Sequence, residues 1–269
     1  MSALFVQADL RSMLRRMSGY QTVPMRKALL SDLIEEIKTS SRQTDLWMPA
    51  YNFEYFHTRK FNVFETRSEV GVLAEHFRLN FASWRTAMPV LSYAGTGAAP
   101  EMDLHTGVLY PNSETAPIGQ LVVGGGSQLL LGCGVQWSSL FHYAEVFDGA
   151  FPVYRYEKGF AGTVIDLDEE EVPIEVRYAV TSLDRPVQYD FVKMHSSMMQ
   201  SGAVKSNSHF PDSFNVDPQR FMLAWQNLSR SDPFWPLTED SRRWVQPMVE
   251  HLGRGFCIED FEVPPHEAP

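Results

Sequence analysis

Residues 132–147 read "GCGVQWSSLFHYAEVF" and follow the apolar run Leu129–Leu131. A buried strand, a Gly-x-Gly turn and a helix opening at Ser138 or Ser139 account for this order, with one of the serines as helix cap. In open α/β sheets, ligands bind beyond the carboxyl ends of the strands, which is where residues 133–141 would lie. His142 and Glu145 are three apart and share a helical face. A carboxylate beside an imidazole raises its basicity and fixes its tautomer, so the pair suits a general base near neutral pH. Ser139, one turn earlier, could donate to a developing oxyanion, aided by backbone N–H groups at the helix start. The same spacing also fits a surface helix with a capping serine and an incidental polar pair. Spacing alone leaves both readings open.

Outward from this stretch, strands and helices alternate. Residues 2–6 read as a short buried strand, and Asp9 as the cap of a short helix from Leu10. Leu29, Leu30, Leu33, Ile34 and Ile37 recur at helical spacing. Residues 44–48 read as a strand, 50–65 as an aromatic loop over a pocket, and 68–81 as a helix capped by Ser68. Residues 89–94 read as a strand and 95–117 as a long loop of the kind that forms lids or binding loops. Gly124-Gly125-Gly126 reads as a hairpin turn between strands, rather than a phosphate loop. Residues 151–156 and 161–166 read as strands, and 187–199 and 218–228 as helices. The pattern predicts an α/β fold, a central sheet flanked by helices. One domain over 1–258, with a loose tail at 259–269, suits the chain's 269 residues.

The formal net charge of −10, with no basic run, argues against a nucleic-acid partner. No apolar window approaches the length of a membrane span, and residues 1–17 do not read as a signal peptide. Two distant cysteines, Cys133 and Cys257, imply neither a disulfide framework nor a metal site, so a cytoplasmic location is expected. Cys133 abuts an apolar strand and reads as an inert buried thiol. The remaining histidines show no metal spacing, and His105 stands out only for its place on the long loop. Trp47, Tyr51, Phe53, Tyr55 and Phe56 read first as core, second as a pocket wall.

Several segments together resemble one family, the aminoglycoside 3-N-acetyltransferases, also called antibiotic N-acetyltransferases. "LFVQADLRSM" is similar to the family's first strand and turn, and "LWMPAY" to its strand ending in Met-Pro. "FETRSEVGVLAEHFR" resembles its Ser-x-x-Gly-x-Leu-x-Glu helix, and "SETAPIGQL" its Ser-Pro-x-Gly-Lys-Leu element, with Ala116 and Gln120 as departures. "LLLGCGVQWSSLFHYAE" resembles its most specific motif, Gly-x-Gly followed by Thr/Ser-x-x-His-x-x-Glu, and "FPVYRYEKGFAGTV" the strand pair that follows.

The resemblance implies an α/β/α fold distinct from the common acetyltransferase superfamily. It implies acetyl-coenzyme A (acetyl-CoA) as donor, without a metal, and a primary amine on an aminosugar as acceptor. It carries His142, Glu145 and Ser139 over as the catalytic group. Asp9, Leu10 and Arg11, with Ser68, Val70, Gly71 and Ser138, are the expected donor contacts. Assembly is left open up to a homodimer. Two departures stand on the acceptor side. Met88 and Leu91 replace both histidines of the family's His-Pro-x-His-Ser segment, and Gln7-Ala8-Asp9 replaces its His-Ser turn. They leave a rival expectation: a differently acylating or non-catalytic relative that binds or scaffolds in a polysaccharide or natural-product pathway.

Overall fold

The computed structural model describes residues 3–10, 23–41, 45–146 and 151–262. Its centre is a seven-stranded sheet. Three parallel strands form the middle: β1 (Leu4–Ala8) lies between β7 (Ser127–Leu131) and β2 (Leu46–Pro49). Antiparallel strands extend it on both sides, β5 (Tyr93–Gly95) and β4 (Trp84–Arg85) beyond β2, and β11 (Phe214–Val216) and β10 (Val204–Ser206) beyond β7.

Side chains alternate across a strand, so each face of the sheet takes its own core. Leu4, Val6, Leu129 and Leu131 pack on one face with Ile34 and Ile37 of α1 (Val23–Ser41) and Leu73 and Phe77 of α3 (Val72–Asn80). Phe5 and Leu130 pack on the other face. Partners there come from α4 (Pro117–Val123), α5 (Ser139–Glu145), α6 (Phe191–Gln200) and α7 (Pro218–Ser231). The fold is therefore the expected sheet between helical layers.

A second sheet orders β3 (Lys60–Asn62), β8 (Tyr156–Ile165), β9 (Glu171–Val180) and β6 (Val108–Leu109). Asp168, Glu169 and Glu170 of the acidic run lie exposed in the turn of the β8–β9 hairpin, and Glu171 opens β9 opposite Ile165. A further helix, α8 (Glu239–Leu252), closes a small core with Tyr154, Tyr156 and Phe256. Phe261 stacks on Tyr156, and Glu262 pairs with Lys158 at 2.5 Å.

Several local expectations are corrected. Residues 50–65 are not a bare loop: they hold the turn of helix α2 (Tyr55–Thr58) and strand β3. Gly124–Gly126 is no hairpin turn, because Pro117 starts a helix that Gly124 ends, and Gly125, at φ +70°, swings the chain into β7. Ser68 does not cap α3. Gly71 occupies that position, and the Ser68 N–H instead donates to Glu75 at 2.9 Å. Residues 151–155 are irregular, and the strand begins at Tyr156.

Candidate active site

Gly132, at φ +66°, turns the chain off the end of β7, and a short 3₁₀ turn at Val135–Trp137 delivers it to α5. Ser138 caps α5, its hydroxyl accepting from the Leu140 N–H at 3.3 Å. That hydroxyl donates to Gln128 at 2.7 Å, and the Gln128 amide donates to Gln7 Oε1 at 2.6 Å. Gln7 Oε1 also accepts from the Ser139 N–H at 2.8 Å. The N–H groups of Ser139 and Leu140 are thus taken within the protein. The expected backbone help for an oxyanion is not available from them, because Gln7 and the Ser138 hydroxyl satisfy them first. The Ser139 hydroxyl meets the buried Tyr51 hydroxyl, which donates on to Tyr93 at 3.1 Å. Burial pushes the Tyr51 phenol up to about 12, so it stays a neutral donor across the working pH range.

One turn later the surroundings become charged. His142 Nδ1 lies 3.2 Å from Glu145 Oε2. The Glu145 side chain is only 1% exposed and is gripped from all sides. It accepts from Tyr189 at 2.5 Å and Tyr154 at 3.1 Å, and Arg155 Nε stands 3.5 Å away. Burial alone would raise its pKa, but Arg155, His142 and Tyr189 outweigh that and hold the carboxyl below the ordinary range. Arg155 is fixed in turn by Tyr189 at 2.7 Å and by the Ala179 carbonyl at 2.6 Å.

The His142 side chain is 36% exposed, and among the described residues its Nε2 has no hydrogen-bond partner. Desolvation of the ring, packed 3.7 Å from the Phe141 ring centroid, holds its pKa below the ordinary 6.5 despite the pull of Glu145. The imidazole is therefore neutral near pH 7. With anionic Glu145 facing Nδ1, the proton belongs on Nδ1 and the lone pair on Nε2.

The structure thus brings His142, Glu145, Ser139 and Ser138 together on one helix. The other expected site residues are scattered. Asp9 lies beside the end of β7, its N–H donating to the Leu131 carbonyl at 3.0 Å. Leu10 packs in the core with Ile34 and Ile37. Arg11 lies outside the described residues. Ser68 is buried with no partner for its hydroxyl among the described residues, Val70 is half-buried, and Gly71 sits at φ +110° where α3 begins. This segment reaches α5 through Tyr51, whose carbonyl accepts from the Glu69 N–H at 2.8 Å.

Met88 and Leu91 are buried at 2% and 8% exposure in the same core as Tyr51, so apolar packing fills their positions. Cys133 is buried and its thiol is pushed up to about 12, chiefly by desolvation. Sequence reasoning missed Arg155, Tyr154, Tyr189 and Gln128. A signal existed for two of them: Tyr154 and Arg155 lie inside the segment "FPVYRYEKGF", where a lone arginine between tyrosines suggests a buried charge.

Two clefts flank α5. One of about 510 Å³ opens between residues 110–115, Tyr143 and the β8–β9 hairpin. A smaller one of about 260 Å³ runs along Glu145 and Trp225. His142 lines neither of them.

The family model for aminoglycoside 3-N-acetyltransferase matches residues 33–213. No curated protein matches the sequence. Among solved structures, aminoglycoside acetyltransferase AAC(3)-Xa superposes with a TM-score of 0.65 at 19% identity, over 86% of this chain and 87% of that one. The coenzyme A (CoASH) binary complex of AAC-IIIb gives 0.62 at 17%, over 86% and 90%. A mutant of aminoglycoside acetyltransferase AAC(3)-IVa in complex with apramycin gives 0.59 at 16%, over 87% of both chains.

Proposed function

Because the chain belongs to the aminoglycoside 3-N-acetyltransferase family and is thereby an acyltransferase, we propose that it moves an acetyl group from acetyl-CoA to a primary amine of an aminosugar-like acceptor, with His142 as general base in a ternary complex. The observation that carries this reading is the His142–Glu145 pair: 3.2 Å apart, with the carboxylate clamped by Arg155 and two tyrosines and Nε2 left open. Coenzyme A in AAC-IIIb and apramycin in AAC(3)-IVa support the donor and the acceptor class by kinship.

An amine is mostly protonated at neutral pH and must shed a proton to become a nucleophile. That proton passes to solvent, and His142 Nε2 takes the second one from the nitrogen as the C–N bond forms at the acetyl carbonyl. Glu145 keeps the other ring proton on Nδ1 and stabilises the imidazolium that results. The Ser139 hydroxyl is the proposed donor to the oxyanion, its proton turning from the Tyr51 oxygen to the acetyl oxygen, since the neighbouring backbone N–H groups are engaged. When the intermediate collapses, the C–S bond breaks and His142 returns its proton to the departing thiolate. Cys133, buried and held as a thiol, forms no acyl intermediate.

A thioester donor supplies the activated acetyl group. Asp9, Ser68, Val70 and Gly71 are the proposed contacts for its arm. The unpartnered Ser68 hydroxyl and the start of α3, which lacks a side-chain cap, support that assignment. Leu10 and Ser138 contribute packing and capping.

The deciding experiment is an acceptor screen with acetyl-CoA across aminoglycosides, nucleotide-linked amino sugars and simple amines, reading free thiol release. Amine-dependent release is expected. Release that ignores the amine would make the protein a thioester hydrolase. No release, with no heat of acetyl-CoA binding, would make it a binding protein on this fold.

A further inference from the structure

The cleft of about 510 Å³ beside α5 takes no part in the chemistry above, and its lining combines two unlike groups of side chains. One group is aromatic: Tyr110, Tyr143 and Phe151. The other is polar and comes from residues 112–115. The Asn112 side-chain oxygen is buried and has no hydrogen-bond partner among the described residues, an acceptor left without its donor. Two residues on, Glu114 lines the cleft as an exposed residue, and its carboxylate has no ionic partner among the described residues. The cleft's other carboxylate, Glu157, is already taken by Arg177 at 2.6 Å, and Arg177 also holds Glu175 at 2.7 Å. What remains is one exposed negative charge and one open acceptor in a cleft whose lining also carries aromatic rings.

We propose that this cleft is a binding site, separate from the His142 centre, for a singly charged primary amine with a flat apolar body. The ammonium group would donate to Glu114 and Asn112, satisfying both at once, while the rings of Tyr110, Tyr143 and Phe151 cover the body. The volume lies within the range of small-molecule sites. A polyhydroxylated, multiply charged amine fits poorly: its hydroxyls lose water against the rings, and its further charges find no free carboxylate.

Calorimetry on the whole chain tests this with 2-phenylethylamine as probe, beside 2-phenylethanol and glucosamine. Saturable binding of 2-phenylethylamine is expected. Glu114→Gln should weaken it by about tenfold, the scale of one charge-assisted hydrogen bond, and 2-phenylethanol should bind the wild type about tenfold more weakly. Glucosamine should also bind more weakly. His142→Ala should leave 2-phenylethylamine binding unchanged, so this site stands or falls apart from acetyl transfer. Absence of saturable binding overturns the proposal. So do binding indifferent to Glu114→Gln, glucosamine binding as tightly as 2-phenylethylamine and weakened by the same Glu114→Gln change, and loss of binding in His142→Ala, which would move the amine to the catalytic centre.

Discussion

The seven-residue helix α5 is held at its two ends by buried polar networks of different kinds. At the N-terminal end, Gln7, Gln128, Ser138, Ser139 and Tyr51 form a chain of neutral amides and hydroxyls. None of these groups changes charge near pH 7, so this end can position but cannot exchange a proton. At the C-terminal end, Glu145, Arg155 and His142 carry charge or can acquire it, and two tyrosines donate into the same carboxylate. Burial makes both ends rigid, since a buried polar group left unsatisfied is costly. Only the charged end can move a proton. In the proposed mechanism the first network fixes α5 and presents the Ser139 hydroxyl, and the second moves the proton.

The sharpest way to break this contrast is at the charged end. His142→Ala should lower kcat by about 10²–10⁴, the range for a lost general base, with the fold unchanged by circular dichroism. A loss under about threefold would remove His142 from the mechanism.

Arg155→Met should be the most damaging of these changes for stability. It leaves Glu145 buried without its cation, a loss of about 3–5 kcal/mol at pH 7 in urea unfolding. The pH dependence should also reverse. In the wild type the lowered Glu145 pKa favours folding above its ordinary 4.5 and loses that contribution as pH falls. In the variant the raised pKa penalises the folded state at neutral pH, so the deficit should shrink toward pH 4. A deficit independent of pH would mean that Arg155 acts by packing alone.

At the neutral end, Gln7→Leu strips an acceptor from the Ser139 N–H and from the Gln128 amide. The expected loss is about 1–3 kcal/mol per group left unsatisfied. The acidic limb of the pH–rate profile should not move, because no titrating group is touched. A shifted limb would erase the distinction between the two networks. The smallest effect is expected for Cys133→Ala: activity within about twofold of wild type, as suits a buried thiol outside the reaction. Loss of activity, or a lost acyl-enzyme signal in mass spectrometry, would reopen covalent catalysis.

The legibility of the sequence follows the same division. Leu129–Leu131, the glycines after them and a helix capped by Ser138 or Ser139 were legible, because a buried strand and a helix start both have local signatures, and the structure gives the cap to Ser138. The His142–Glu145 pair was legible because three residues on a helix fix its geometry. Arg155, Tyr189 and Gln7 reach α5 from other parts of the chain, so their partners are set by tertiary packing that no local period records. The helix at Pro117–Val123 was misread for a related reason. Its Val122-Val123 end favours strand, but Pro117 at the first turn and the buried Ile118 and Leu121 settle it as helix.

The central claim is that Glu145 pins the proton on Nδ1 of a neutral His142, leaving Nε2 as the base. A ¹⁵N NMR titration of the His142 ring measures both halves of it. The account expects a midpoint below 6.5 and, above that midpoint, protonation at Nδ1. A midpoint above 7, or a neutral ring protonated at Nε2, would contradict it.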